Sequence, residues 1–169
     1  MNFFYFDEKI KKYEKELNFS LVISYLEEIF NQKPSEGILV TLIGSSWYYL
    51  VEGDVNQSPQ NYDWKYFLDK WKQYIDIGIA KFNNYEKFCY IAGYTLSLHG
   101  IYISPEYEKK GKQLMCRCAE IATTPQIVEL SQIFIAKSCK YRKLDEQKIM
   151  AMFPSEGLPD KYFKEIILR

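Results

Sequence analysis

Cys116 and Cys118, with His99 as the chain's single histidine, are the residues whose chemistry is easiest to name: thiolate and imidazole ligands for a zinc ion. The spacing argues against that chemistry. Residues two apart on a helix point about 200° away from each other, so both sulfurs reach one ion only if the turn unwinds. A structural zinc also wants four ligands at recognised spacings. Ser97 and His99 could suggest nucleophilic catalysis, but they face different sides of one helix. No Gly-x-Ser-x-Gly element or partner carboxylate completes a triad. Glu27-Glu28 and Asp7-Glu8 are adjacent carboxylates on exposed helix faces or ends, whereas acid–base work needs two carboxylates across a cleft with separated pKa values. No glycine-rich phosphate loop occurs. The expectation is no catalytic residue, no metal, no cofactor and no enzymatic activity. His99, at a helix C-terminus where the dipole favours a cation, reads as a structural or capping residue.

Charge is more informative than any motif. From Pro34 to Trp64 there is no lysine or arginine, while Glu36, Glu52, Asp54 and Asp63 fall in that stretch together with Trp47, Tyr48, Tyr49, Tyr62 and Trp64. Tyr48 and Tyr49 cannot both face the core that Trp47 faces. An acidic, tyrosine-rich rim is suited to a basic protein partner. The expected partner-binding residues are Tyr48, Tyr49, Glu52, Asp54, Tyr62 and Asp63, with Asp69 and Asp76 as an acidic row on the next helix. The chain from Lys137 onward is basic on balance, so two opposite patches cancel to a net charge of +0.

The elements that would hold these residues are helices. Apolar positions recur at the 3.6-residue period in 7–17, 21–30, 36–51, 62–82, 85–99, 105–122 and from Pro125 onward, with short helices at 145–153 and 159–168. Ser20, and Ser104 with Pro105, are the expected starts of the second and sixth helices. Residues 53–61, rich in turn formers, read as a loop. The cysteines fall in helical stripes and read as buried, reduced thiols. In the helix 85–99 one face carries Phe88, Ile91, Ala92, Thr95 and Leu96, and Gly93 marks a close approach of two other helices. Leu42-Ile43-Gly44 aligns with Ile91-Ala92-Gly93, a spacing longer than the ~34 residues of a tetratricopeptide unit and nearer to armadillo or HEAT periods. The expected fold is all-α: residues 1–169 as one domain, an irregular stack of antiparallel helix hairpins, tetratricopeptide-like.

Composition excludes several classes. The 169 residues can bury a sizeable core. A net charge of zero lacks the basic face that a general nucleic-acid binder needs. The first residues are not expected to be a signal peptide, and no apolar run approaches the ~20 residues of a membrane span. The expectation is a cytoplasmic protein with no nucleic-acid or membrane partner, and with exposed apolar surface compatible with a homodimer.

Three segments carry a family resemblance: Tyr62-x-Trp64-x-x-Phe67-Leu68-x-x-Trp71, Phe88-x-x-x-Ala92-Gly93-Tyr94-x-Leu96-Ser97 and Tyr107-Glu108-x-x-Gly111-x-x-Leu114. Over this third of the chain the sequence resembles small all-helical immunity proteins encoded beside the toxins of bacterial contact-dependent inhibition and related polymorphic toxin systems. The resemblance implies a cytosolic inhibitor that binds and blocks a toxin domain, often a nuclease such as an RNase, and it carries over no catalytic residue. The other expectation from the residues is a helical-repeat adaptor or regulator that binds a peptide or protein in a concave groove.

Overall fold

The computed structural model describes residues 3–56, 62–135, 147, 153 and 156–168. Its helices are α1 (Glu8–Lys15), α2 (Phe19–Gln32), α3 (Glu36–Asn56), α4 (Trp64–Lys81), α5 (Glu86–His99), α6 (Pro105–Ile121), α7 (Pro125–Ile135) and α8 (Leu158–Leu168), with a 3-10 turn at Gly100–Tyr102. Among the described residues there is no strand, so the chain is all-α as its periodicity indicates. No helix among them is long and apolar enough to cross a membrane. The helix expected at 145–153 falls, apart from Gln147 and Phe153, outside the described residues, as does Cys139.

Local chemistry sets several helix starts. The Asp7 carboxylate accepts the N–H groups of Lys9 and Ile10 at 3.0 and 2.9 Å, and Asp63 accepts that of Tyr66 at 2.9 Å, so each satisfies orphan donors at a helix start. Distant carboxylates cap two other helices. Glu36 of α3 accepts the Phe88 N–H of α5 at 3.2 Å, and Glu86 of α5 accepts the N–H groups of Thr123 and Thr124 ahead of α7. Two sequence expectations are corrected. Ser20 lies inside α2, which starts at Phe19 after an Asn18 that makes no side-chain cap. The third helix does not end near Val51 but runs to Asn56, into the stretch read as loop.

Side-chain contacts give the helix directions. Phe19 at the start of α2 stacks on Tyr49 in the second half of α3, at 4.2 Å between ring centroids. Glu27 of α2 binds Lys70 and Tyr74 of α4, and Trp47 of α3 binds His99 of α5. Odd- and even-numbered helices therefore run in opposite directions through α6. The C-termini of α1, α3 and α5 and the N-termini of α2, α4 and α6 gather at one end.

Helix α5 lies at the centre. Every residue from Phe88 to Leu96 is buried, because α3, α6 and α7 pack round it and the Phe88 ring fills the space beside Gly78 of α4. The one-sided stripe read from the sequence was too narrow. Against α6 the backbones nearly touch. A Cβ on Gly93 would lie 2.9 Å from the Met115 nitrogen, one on Gly100 2.7 Å from the Glu108 nitrogen, and one on Gly111 2.5 Å from the Ser97 nitrogen. These contacts define a single antiparallel seam with α6, where the sequence suggested two helices crossing at Gly93.

The two ends of the chain meet over the core. Phe3 stacks on Phe153 at 4.9 Å and Phe4 packs on Phe163 of α8 at 5.2 Å, while Gly44 of α3 leaves room for the Phe4 ring. Helix α8 lies against α3, with Phe163 and Tyr162 at 5.2 and 5.5 Å from Trp47.

Candidate protein-binding surface

The end of the bundle where α3, α4, α5 and α6 converge exposes apolar side chains. Trp64, the first residue of α4, is 43% exposed. It begins the helix beyond the wall that buries Phe67 and Trp71, and its ring meets Tyr102 edge-on at 6.2 Å. Tyr102, Ile101 and Leu98 are exposed at 47, 52 and 44%. They sit where α5 gives way to the 3-10 turn. Leu17 and Leu21, also exposed, lie at this same end of the bundle, whereas the exposed Tyr85 lies at the opposite end.

The turn that carries this cluster is pinned from beneath. His99 Nδ1 accepts the indole N–H of the fully buried Trp47 at 3.1 Å, and the Tyr102 ring packs on the imidazole at 5.3 Å. An accepting Nδ1 puts the ring proton on Nε2. Burial lowers the His99 pKa from its usual 6.5, so the ring is neutral at neutral pH. The expected structural role holds, but the residue acts as an acceptor from α3 rather than as a cation on the helix dipole.

Both segments that form the cluster lack lysine and arginine. None occurs from Pro34 to Trp64 or from Phe88 to Glu108, and the second segment ends with Glu106 and Glu108 in the first turn of α6. Asp63 is exposed beside Trp64, and Lys65 is matched by Asp69 at 2.6 Å.

The structure disperses the rim expected from the sequence. Tyr49 is fully buried, stacked on Phe19, and its hydroxyl donates to Glu14 at 3.0 Å. Tyr48 is 7% exposed because Tyr162 of α8 covers it at 5.2 Å. Neither tyrosine can meet a partner in this arrangement. Consecutive aromatic residues do point to different sides of α3, but both sides are walled, one by α2 and α4 and the other by α8. Glu52 is half-buried and bonded to the Tyr162 hydroxyl. Tyr62 is turned inward, donating to the carbonyls of Tyr49 and Leu50 at 2.9 and 2.7 Å and packing over Gly53. Asp54 lies on the last turns of α3, and its side chain is outside the described residues. Asp69 is matched by Lys65, and Asp76 by Lys72 and the Tyr107 hydroxyl, so the expected acidic row is internally neutralised. Among the described side chains of the expected rim, Asp63 alone is exposed at the apolar cluster.

The described cysteines are Cys89, Cys116 and Cys118. Cys118 is buried, with its Sγ 3.5 Å from the Glu86 carbonyl, and Cys116 is exposed, contrary to the expectation that it is buried. Burial pushes the Cys89 thiol up to about 11 and the Cys118 thiol up to about 12, which keeps both protonated and unreactive. Among the described residues no group of three or more His, Cys, Asp and Glu could hold a metal ion.

Sequence reasoning missed Leu98, Ile101 and Tyr102. Their signal was present: three large apolar residues at the end of α5 and just past it, all outside the stripe of Phe88, Ile91, Thr95 and Leu96. No protein-family model, curated protein or solved structure matches the chain.

Proposed function

We propose that this chain is a protein-binding module that docks a basic partner on the end surface formed by Trp64, Leu98, Ile101 and Tyr102, with Asp63 and Glu106 on its rim. The observation that supports the reading is one exposed aromatic–aliphatic cluster built from two segments without lysine or arginine. Interfaces are enriched in aromatic anchors, and an acidic border steers a basic partner by complementary potential. The finer reading joins this to the sequence resemblance: an immunity protein that blocks a cognate toxin domain, by steric occlusion of the toxin's active site after charge-steered encounter.

The size of the Trp64 contribution follows from its exposure. At 43% exposed, a tryptophan still offers about 100 Å² to a partner, worth roughly 2.5 kcal/mol at about 25 cal/mol per Å². The test is calorimetric titration with the basic product of an adjacent reading frame, alongside Trp64→Ala and Tyr102→Ala. One-to-one binding that weakens by a factor of roughly 30 or more in Trp64→Ala, at unchanged unfolding midpoint, supports the proposal. Association should also slow as salt rises, since exposed charges are screened over ~8–10 Å. Equal affinity in wild type and both variants removes this surface from the site. Self-association alone, lost in the same variants, makes the surface a homodimer interface instead.

A further inference from the structure

Two buried carboxylates that the binding surface does not use lie at the N-terminus of α8. Glu14 of α1 is 7% exposed and Asp160 of α8 is 1% exposed. Both oxygens of Glu14 accept the Leu158 N–H, at 3.2 and 3.1 Å, and one also accepts the Tyr49 hydroxyl at 3.0 Å. A side chain from the first helix therefore caps the last one. Asp160 Oδ1 has no hydrogen-bond partner among the described residues. One negative charge suits a helix N-terminus, but two buried and mutually repelling carboxylates do not both ionise without cost.

We propose that α8 is a proton-linked cover: it stays docked over Trp47 and Tyr48 while the Glu14–Asp160 pair holds a proton, and it loosens when both carboxylates are charged. The groups facing the pair set the direction. Burial pushes the Asp160 carboxyl up to about 7, with Lys164 opposing and Glu14 adding to the rise. Burial also raises Glu14, opposed by the Leu158 N–H, the Tyr49 hydroxyl and Lys161. From α3, Tyr48 and Tyr49 are phenols raised above their usual range by burial, so they stay neutral, and Glu52 is engaged with Tyr162. Lys11 sits at the outer edge between Glu8 and Glu156. The docked pair has raised pKa values, so the docked state binds more protons than the released one. Docking is then fully favoured below the ordinary carboxylate range and weakens as pH rises through about 7. Release would bare the aromatic face of Trp47 and Tyr48, which α8 now occupies.

Hydrogen exchange read by mass spectrometry on the full chain from pH 5.5 to 8.5, corrected for intrinsic rates, tests this directly. Protection of α8 amides should fall at least tenfold across that range while α5 amides keep theirs. Asp160→Asn, which keeps the shape without the charge, should remove most of that slope. If Asp160→Asn leaves α8 unprotected at every pH, Glu14→Gln carries the test, and its slope must be smaller than that of the wild type. Wild-type protection of α8 that is flat with pH overturns the proposal, as does a wild-type slope retained in both variants.

Discussion

Replacing Gly111 by alanine sets helix propensity against packing, and the geometry says which prevails. In the interior of an exposed helix the change would stabilise by about 1 kcal/mol, because glycine gives up more backbone freedom on folding. At Gly111 the new Cβ would sit 2.5 Å from the Ser97 nitrogen, 2.7 Å from the Leu96 Cβ and 2.8 Å from the Leu96 carbonyl carbon, where ordinary contact begins at 3.4 Å. Those neighbours are backbone and a Cβ, so no rotamer change relieves the clash, and α6 must lift from α5 by close to 1 Å. Overpacking of this kind costs about 1–3 kcal/mol and occasionally more. Lifting the seam also loosens the contacts at Gly93 and Gly100, which places the cost at the upper end. The expected net loss is about 1–2 kcal/mol. Gly37 is the internal control, since a Cβ there meets nothing within 4 Å. Gly37→Ala should leave stability unchanged or raise it by up to ~1 kcal/mol. Urea unfolding followed by far-UV circular dichroism reads both variants as shifts in midpoint at constant slope. If Gly111→Ala proves as stable as the wild type, the close approach of α5 and α6 is wrong.

Leu17 has φ 53°, the left-handed conformation that suits glycine at a helix C-terminus, so Leu17→Gly should raise the unfolding free energy by about 1 kcal/mol in the same urea assay. Tyr49→Phe removes a buried donor to Glu14 and should cost about 1–2 kcal/mol, read as a lower thermal midpoint with unchanged circular dichroism. His99 titrates below its unfolded value of 6.5, so the unfolded chain takes up the proton first and this residue lowers stability as pH falls below about 6.5. Midpoints measured at pH 7.5 and 5.5 should therefore show a smaller acid-induced loss in His99→Gln than in the wild type.

Amphipathic helices were legible where one side faces water, because the apolar period then stands out. This is the case for α1, α4 and α6, where Ile10, Trp71 and Met115 lie on the faces that the period assigns. Helices α3 and α5 blur the signal: they are walled on several sides, and Tyr49 or Tyr90 is as deep in the core as Trp47. Tyr48 and Tyr49 of the expected rim are buried for that reason. A run of aromatic residues without lysine looks alike in sequence whether it lines a surface or is sandwiched between α2, α4 and α8, and the contact that decides between them, Tyr162 on Tyr48, joins residues far apart in the chain. The exposed cluster depends on where a helix begins or ends relative to its neighbours. Trp64 keeps the α4 period yet overhangs the core by starting the helix, which is a tertiary fact and not a periodic one.

The meeting of Phe3 and Phe4 with Phe153 and Phe163 has a consequence for synthesis. A ribosome delivers the first pair long before the second. At ~5–20 residues per second, roughly 10–30 s pass between them. Throughout that interval two phenylalanines that end up buried have no finished socket, and the aromatic face of α3 lacks its cover. The order in which the chain emerges thus leaves Phe3 and Phe4 among the last to settle, and a nascent chain stalled before α8 would offer those rings to a chaperone or to another copy of itself.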